Sequence, residues 1–197
     1  FGLDMDTASY ANVRRFLNQG RMPNADAVRV EEMLNYFPAG RDMLSRLGDS
    51  PFSASYELAP CPWNPKNLLL YLTLKADDMR ADQRPRSNLV FLVDVSGSMN
   101  PPERLPLVKS LLKVLAGNLG SGDTVSMVTY SGGTQVVLGP TSGADKAAIL
   151  AAVDRLEAGG GTAGASGLAL AYEQAQKGFI KGGVNRVLLC TDGDFNL

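Results

Sequence analysis

The chain has 197 residues, a formal net charge of −1, two cysteines and no histidine. Without histidine no Ser-His-Asp or Cys-His pair and no histidine-ligated zinc site can be built, and the near-zero charge argues against a nucleic-acid binder held by phosphate contacts. What remains for chemistry is carboxylate, hydroxyl, lysine, tyrosine and backbone, a set of donors that suits hard cations such as Mg²⁺ and Ca²⁺.

Hydrophobic residues make up 45% and charged residues 20%, as in an ordinary globular chain. No apolar run approaches the roughly 20 residues needed to span a bilayer. The chain opens on Phe1 rather than Met and carries no basic and apolar leader, so sequence upstream is expected to have been removed or left out.

Residues 1–50 read as a helical region. Thr7 is placed to cap a helix with Tyr10, Val13, Phe16 and Leu17 on one face and Gly20 at its end. A second helix is expected over 24–37, capped by Asn24 or Asp26, with Val30, Met33, Leu34 and Phe37 as its stripe and Pro38 as its stop. A short third helix is expected around 41–47, ending at Gly48.

Residues 51–87 read as a strand pair and a linker. Strands are expected over 52–59 and 67–75, around a turn containing Pro60, Pro62, Asn64 and Pro65. The polar stretch 76–87 is expected to be a solvated linker, because Arg80, Arg84 and Arg86 alternate there with Asp77, Asp78 and Asp82.

From residue 88 strands alternate with helices. Leu89 to Val93 is a continuous apolar run, as in a strand covered on both faces. Leu105, Val108, Leu111, Leu112, Leu115 and Leu119 form a helical stripe. Thr124 to Tyr130 is the next strand, and Ser131-Gly132-Gly133 turns it into Thr134 to Leu138 as a hairpin. Ile149, Val153 and Leu156 mark one helix, Leu168, Tyr172, Ala175 and Phe179 another, and Arg186 to Thr191 a further buried strand. The fold class expected is α/β, a doubly wound, Rossmann-like and mostly parallel sheet over 88–197. Cys61 and Cys190 lie far apart without a CxxC, and Cys190 is expected to be a core thiol rather than half of a disulfide.

The strongest chemical signal is Asp94-Val95-Ser96-Gly97-Ser98-Met99, directly after the apolar run. In an open α/β sheet, ligands bind beyond the carboxyl ends of the strands. One loop there would present a carboxylate and two hydroxyls. Asp192, in Thr191-Asp192-Gly193-Asp194, stands at the end of another apolar strand, and Thr162 follows Gly159-Gly160-Gly161. Two carboxylates brought together repel unless a proton or a cation is shared between them. The alternative for Asp94, Ser96 and Ser98 is a turn that caps the helix near 103, and for Thr162 a cap of the helix that follows it. Asp194 reads as a turn residue.

Taken together, Asp94-x-Ser96-x-Ser98, a threonine in a Gly-rich loop and a strand-end Thr-Asp-Gly resemble the metal-ion-dependent adhesion site of von Willebrand factor type A domains. The resemblance covers residues 88–197. Upstream, Asp6-Thr7-Ala8-Ser9-Tyr10, Asn12-Val13-Arg14-Arg15-Phe16-Leu17, Asn35-Tyr36-Phe37-Pro38 and Ala59-Pro60-Cys61-Pro62-Trp63-Asn64 are similar to the region that one bacterial subfamily joins to such a domain. Members of that subfamily look like cell-envelope lipoproteins. The resemblance implies a non-enzymatic protein-binding module that uses Mg²⁺, or Mn²⁺ or Ca²⁺ in its place. Ser96 and Ser98 would ligate directly, Asp94 and Asp192 mainly through water, and Thr162 in one conformational state. The partner would offer an exposed Asp or Glu, with neither nucleic acid nor a membrane span involved. A complete domain of this type has about six strands, so the sheet is expected to be cut short on its C-terminal side and further strands to belong beyond Leu197.

Two other functions stay open at this stage. One is a structural envelope domain with an incidental metal. The other is a phosphotransferase resembling the haloacid-dehalogenase type, with Asp94 as nucleophile, although Ser96 stands where that pattern wants a second aspartate. Gly159-x-Gly161-x-x-Gly164 follows a helix rather than a strand, so it is not read as a dinucleotide site. Asp192-x-Asp194-x-Asn196 has Leu197 where a calcium loop needs glycine. Met99 is read as core filler, and Tyr36, Phe37 and Trp63 as packing residues.

Overall fold

The computed structural model of the chain describes residues 6–37, 52–76, 83–161 and 165–193. The chain divides into two compact units, Phe1–Met79 and Arg80–Leu197.

In the first unit, α1 runs over Ala8–Asn18. Gly20, at φ +68°, turns the chain out of the helix, and Arg21 N–H donates back to Phe16 O at 2.9 Å. A left-handed residue at this place is what a glycine supplies most readily. The start of α1 differs from expectation. Thr7 makes no side-chain cap; the Ser9 N–H instead donates to Glu32 Oε2 at 2.9 Å.

The helix expected over 24–37 is broken in two, a 3₁₀ turn at Ala25–Ala27 and α2 at Val30–Tyr36. Val28 and Arg29 between them are not helical, and Arg29 has extended backbone. The break is held by one hydroxyl: Ser9 Oγ donates to Ala27 O at 2.6 Å and accepts from Arg29 N–H at 2.9 Å. A hydroxyl both donates and accepts, so it satisfies both backbone groups that the missing helical turn would have paired. Val30, Leu34 and Phe37 are exposed rather than buried. Tyr36 and Phe37 pack on Tyr10, with ring centroids 4.2 and 4.9 Å away. The helix expected around 41–47 lies outside the described residues.

β1 (Phe52–Pro60) and β2 (Leu68–Ala76) pair antiparallel, with Tyr56 opposite Leu72 and Leu58 opposite Leu70. Trp63 in the turn is exposed rather than packed. Cys61 beside it is buried, and both cysteines are free thiols.

The second unit carries β3 (Ser87–Asp94), α3 (Leu105–Asn118), β4 (Thr124–Tyr130), β5 (Thr134–Ser142), α4 (Lys146–Asp154), α5 (Ala165–Lys177) and β6 (Val184–Cys190). The sheet order is β5-β4-β3-β6. β3 pairs parallel with both neighbours, and β4 pairs antiparallel with β5. This is the expected mixed α/β, mostly parallel sheet flanked by helices. β5 carries Pro140 and lies at the edge, where a residue lacking N–H is tolerated.

Alternation along β3 explains why its apolar run is continuous. Phe91 and Val93 face one core with Met99, Leu112, Met127 and Ile149, while Val90 and Leu92 face the other with Val128, Tyr130 and Ala171. α5 approaches that second core closely: a Cβ on Gly167 would stand 3.1 Å from Leu92 Cδ1 and 3.2 Å from Tyr130 Cβ. Truncating a fully buried leucine such as Leu92 to alanine costs about 2–5 kcal/mol.

Four expectations need correction. Leu111 belongs to the predicted stripe of α3 but is 61% exposed. Tyr172 and Phe179 are exposed as well. β6, expected to be buried, has Leu188 and Leu189 exposed; its place at the edge of the described sheet agrees with the expected cut on the C-terminal side. Finally, Arg84 is not solvated linker: it pairs with the buried Asp123 at 2.5 Å.

Candidate metal centre

Asp94 ends the central strand and is fully buried. Its Oδ1 accepts the Ser96 N–H at 2.8 Å, which turns the chain sharply after the strand. Its Oδ2 accepts from the Tyr130 hydroxyl at 3.2 Å and from the Thr191 hydroxyl at 3.4 Å. One carboxylate therefore ties together the carboxyl ends of β3, β4 and β6. The helix near 103 that Asp94 was offered as capping begins at Leu105, with Arg104 before it.

Ser96 Oγ and Ser98 Oγ lie 3.1 Å apart, with Ser96 buried. Ser98 lies in the short turn Gly97–Met99 and Ser96 directly precedes it, and Met99 anchors the turn in the core. The glycine loop is strapped onto this turn by two backbone hydrogen bonds, Gly159 N–H to Val95 O at 2.7 Å and Gly97 N–H to Gly160 O at 3.2 Å. Gly160 has φ +82°, and a Cβ there would meet Ser131 Oγ at 3.3 Å, so a larger residue is disfavoured on both counts. Thr162 and Asp194 lie outside the described residues.

Asp192 sits just past β6 with its side chain 7% exposed. It is ion-paired with Arg104, whose guanidinium also donates to Ser98 O at 2.8 Å. Thr191 accepts the Gly193 N–H at 3.1 Å in the same turn. Of the five residues singled out from the sequence, Asp94, Ser96, Ser98 and Asp192 thus converge on one crevice, linked through Thr191 and Arg104.

Tyr130, Thr191 and Arg104 were not assigned to this site from the sequence. Tyr130 had a readable signal, a hydroxyl at the end of a strand adjacent to the Asp94 strand. Burial pushes the Tyr130 hydroxyl up to about 12; a hydrogen bond with Thr191 opposes this, the charges of Asp94 and Asp192 add to it, and the hydroxyl stays protonated and keeps donating to Asp94. Burial alone raises the Cys190 thiol.

The donor set fits a hard cation. It consists of carboxylates and hydroxyls, the ligands that Mg²⁺ and Ca²⁺ prefer, and the crevice already holds one positive group, the Arg104 guanidinium, between its two walls. Among the described residues no three His, Cys, Asp or Glu side chains gather in one place.

A doubly wound sheet with carboxylates and hydroxyls gathered at the carboxyl ends of its parallel strands is an arrangement in which α/β domains bind ligands. A family model described as von Willebrand factor type A domain matches residues 89–194, and one described as von Willebrand factor matches residues 1–71. The chain belongs to the von Willebrand factor type A domain family. It is 54% identical over 202 residues to Uncharacterized protein YfbK of Escherichia coli (strain K12), an alignment covering 100% of this chain and 35% of that protein. It is 35% identical over 136 residues to Uncharacterized protein sll0103 of Synechocystis sp., covering 69% of this chain and 31% of that one. The chain thus spans about a third of the length of these curated relatives. The crystal structure of three N-terminal domains of the type V pili tip protein Mfa5 from Porphyromonas gingivalis is similar with a TM-score of 0.47 at 17% identity, covering 71% of this chain and 25% of that one. Domains of this family are generally non-enzymatic and commonly mediate metal-dependent protein interactions. Among the described residues no helix is long and apolar enough to cross a membrane.

Proposed function

We propose that the chain is a non-enzymatic module that binds a partner protein through a divalent cation, Mg²⁺ or in its place Mn²⁺ or Ca²⁺. The ligand set is Asp94, Ser96, Ser98 and Asp192, with Thr162 completing it. The observation that carries this reading is the meeting of Asp94, the Ser96–Ser98 hydroxyl pair and Asp192 at the ends of β3 and β6. Two carboxylates in one largely dry crevice call for positive charge.

Neutral hydroxyls and water around the cation leave it electrophilic, so a carboxylate from outside can complete its shell. Mg²⁺ keeps several waters and uses few protein carboxylates, which suits two serines better than a Ca²⁺ cage would. The partner is accordingly a protein with an exposed Asp or Glu. The phosphotransferase reading has Ser96 where an acid/base carboxylate is needed, and no observation favours it.

Isothermal titration with Mg²⁺ and Mn²⁺ tests the cation. Binding that weakens on Asp94→Ala is expected; no binding by the unaltered chain, or binding indifferent to that substitution, ends the metal reading. Capture of partners from cell-envelope extract with and without chelator tests the rest. Partners retained despite chelator would favour a structural domain with an incidental metal.

A further inference from the structure

The Arg104 guanidinium spans the crevice at its mouth. It donates to Ser98 O at 2.8 Å on the hydroxyl-bearing turn and is ion-paired with Asp192 on the opposite wall. Those are the walls that a cation would bridge. The Asp192 side chain is 7% exposed and that of Arg104 39%, so the carboxylate points inward and the guanidinium covers it from the solvent side. Arg104 is held there by its own backbone, whose N–H donates to Pro101 O at 3.0 Å in the turn before α3.

We infer that Arg104 is a resident cation of this site, which a divalent metal must displace from Asp192 before that carboxylate can serve it; the inference rests on the metal reading above. Guanidinium stays charged at every working pH, so protonation cannot clear the site. The side chain must swing away, and its bond to Ser98 O lets it do so without leaving the rim. A guanidinium and a divalent cation a few ångströms apart repel. The measured affinity is then the intrinsic affinity reduced by the fraction of molecules in which Arg104 still holds Asp192. Arg104 is a positioning residue, setting how much metal is needed rather than contacting it.

Titration calorimetry with Mn²⁺ and Mg²⁺ on the 197-residue chain, on Arg104→Gln and on Arg104→Lys tests this. The glutamine variant, which keeps hydrogen-bonding capacity but no charge, is expected to bind at least about fivefold more tightly. The lysine variant, which keeps the charge, is expected to fall between it and the unaltered chain. Equal or weaker binding by Arg104→Gln overturns the inference and leaves the metal reading standing. Binding by neither protein sinks the metal reading and the inference with it. In the unaltered chain, the Arg104 Nε–Hε resonance, assigned by its absence in the glutamine variant, is expected to shift on saturation with Mg²⁺. A resonance unmoved at saturation also overturns the inference, and once the resonance is assigned that outcome is read from the unaltered chain alone.

Discussion

At the amino end of the β3–β4 pair, Asp123 accepts the Ser87 N–H at 2.8 Å and the Gly120 N–H at 2.7 Å and pairs with Arg84 at 2.5 Å. At the carboxyl end, Asp94 accepts one backbone N–H and two hydroxyls, and an arginine pairs with a second aspartate, Asp192. Both ends combine buried carboxylate with arginine, yet the donors differ in kind. Backbone N–H groups are fixed by the fold and have nothing else to offer. Hydroxyls rotate and can turn a lone pair toward a cation. The lower end is a closed structural knot, while the upper end is the one that the proposed function asks to exchange its hydrogen bonds for a ligand.

Asp123→Ala should break that comparison most severely. It strands the Ser87 and Gly120 N–H groups and leaves Arg84 without its carboxylate, so a loss of about 3 kcal/mol in urea unfolding is expected, with metal affinity unchanged in protein that remains folded. Asp94→Ala also strands the Ser96 N–H and two hydroxyls and should cost stability, but unlike Asp123→Ala it should lower metal affinity, roughly 10–100-fold, as expected when a group that orients metal ligands or bound water is removed. Similar stability losses from the two substitutions, with metal affinity unaffected by both, would erase the distinction.

Acid probes the lower end directly. Burial pushes the Asp123 carboxyl up, but the Gly120 and Ser87 N–H groups and Arg84 outweigh it and hold the group below its usual 3.8. The folded chain thus releases this proton at lower pH than the unfolded chain does. The stability it contributes is present above the ordinary value and is lost as pH falls through the folded one. Unfolding measured from about pH 6 down to about pH 2 should show the unaltered chain losing its advantage over Asp123→Asn. An advantage that is constant across the range would mean the carboxylate is not the stabilising form.

Much of this was legible. Hydrophobic alternation reveals buried strands because a strand covered on both faces has no polar side, and Leu89 to Val93 is such a run. The Asp94, Ser96 and Ser98 spacing was readable because one loop carries all three. What was not legible depended on distant partners. The break in the helix expected over 24–37 needs the Ser9 hydroxyl, 18 and 20 residues away from the groups it bonds, and the conversion of Arg84 from linker to structural cation needs Asp123, 39 positions on. Local period also overreached at Leu111 and Tyr172, where helical spacing continues past the area that the sheet can cover.

The smallest effect tests how far the upper end tolerates the loss of one hydroxyl. Tyr130→Phe removes the hydroxyl that donates to Asp94 Oδ2 at 3.2 Å and that also hydrogen-bonds Thr191. The ring remains in the core formed by Val90, Leu92, Val128 and Ala171, and Asp94 still has the Ser96 N–H and the Thr191 hydroxyl. A loss of about 1 kcal/mol in urea unfolding is expected, with a smaller drop in metal affinity than Asp94→Ala produces. If the hydroxyls at this end are interchangeable donors, Thr191 takes over and the cost stays small. A loss as large as that of Asp123→Ala would show the upper network to be as closed as the lower one, and a crevice that rigid could not give up a hydrogen bond to admit a cation.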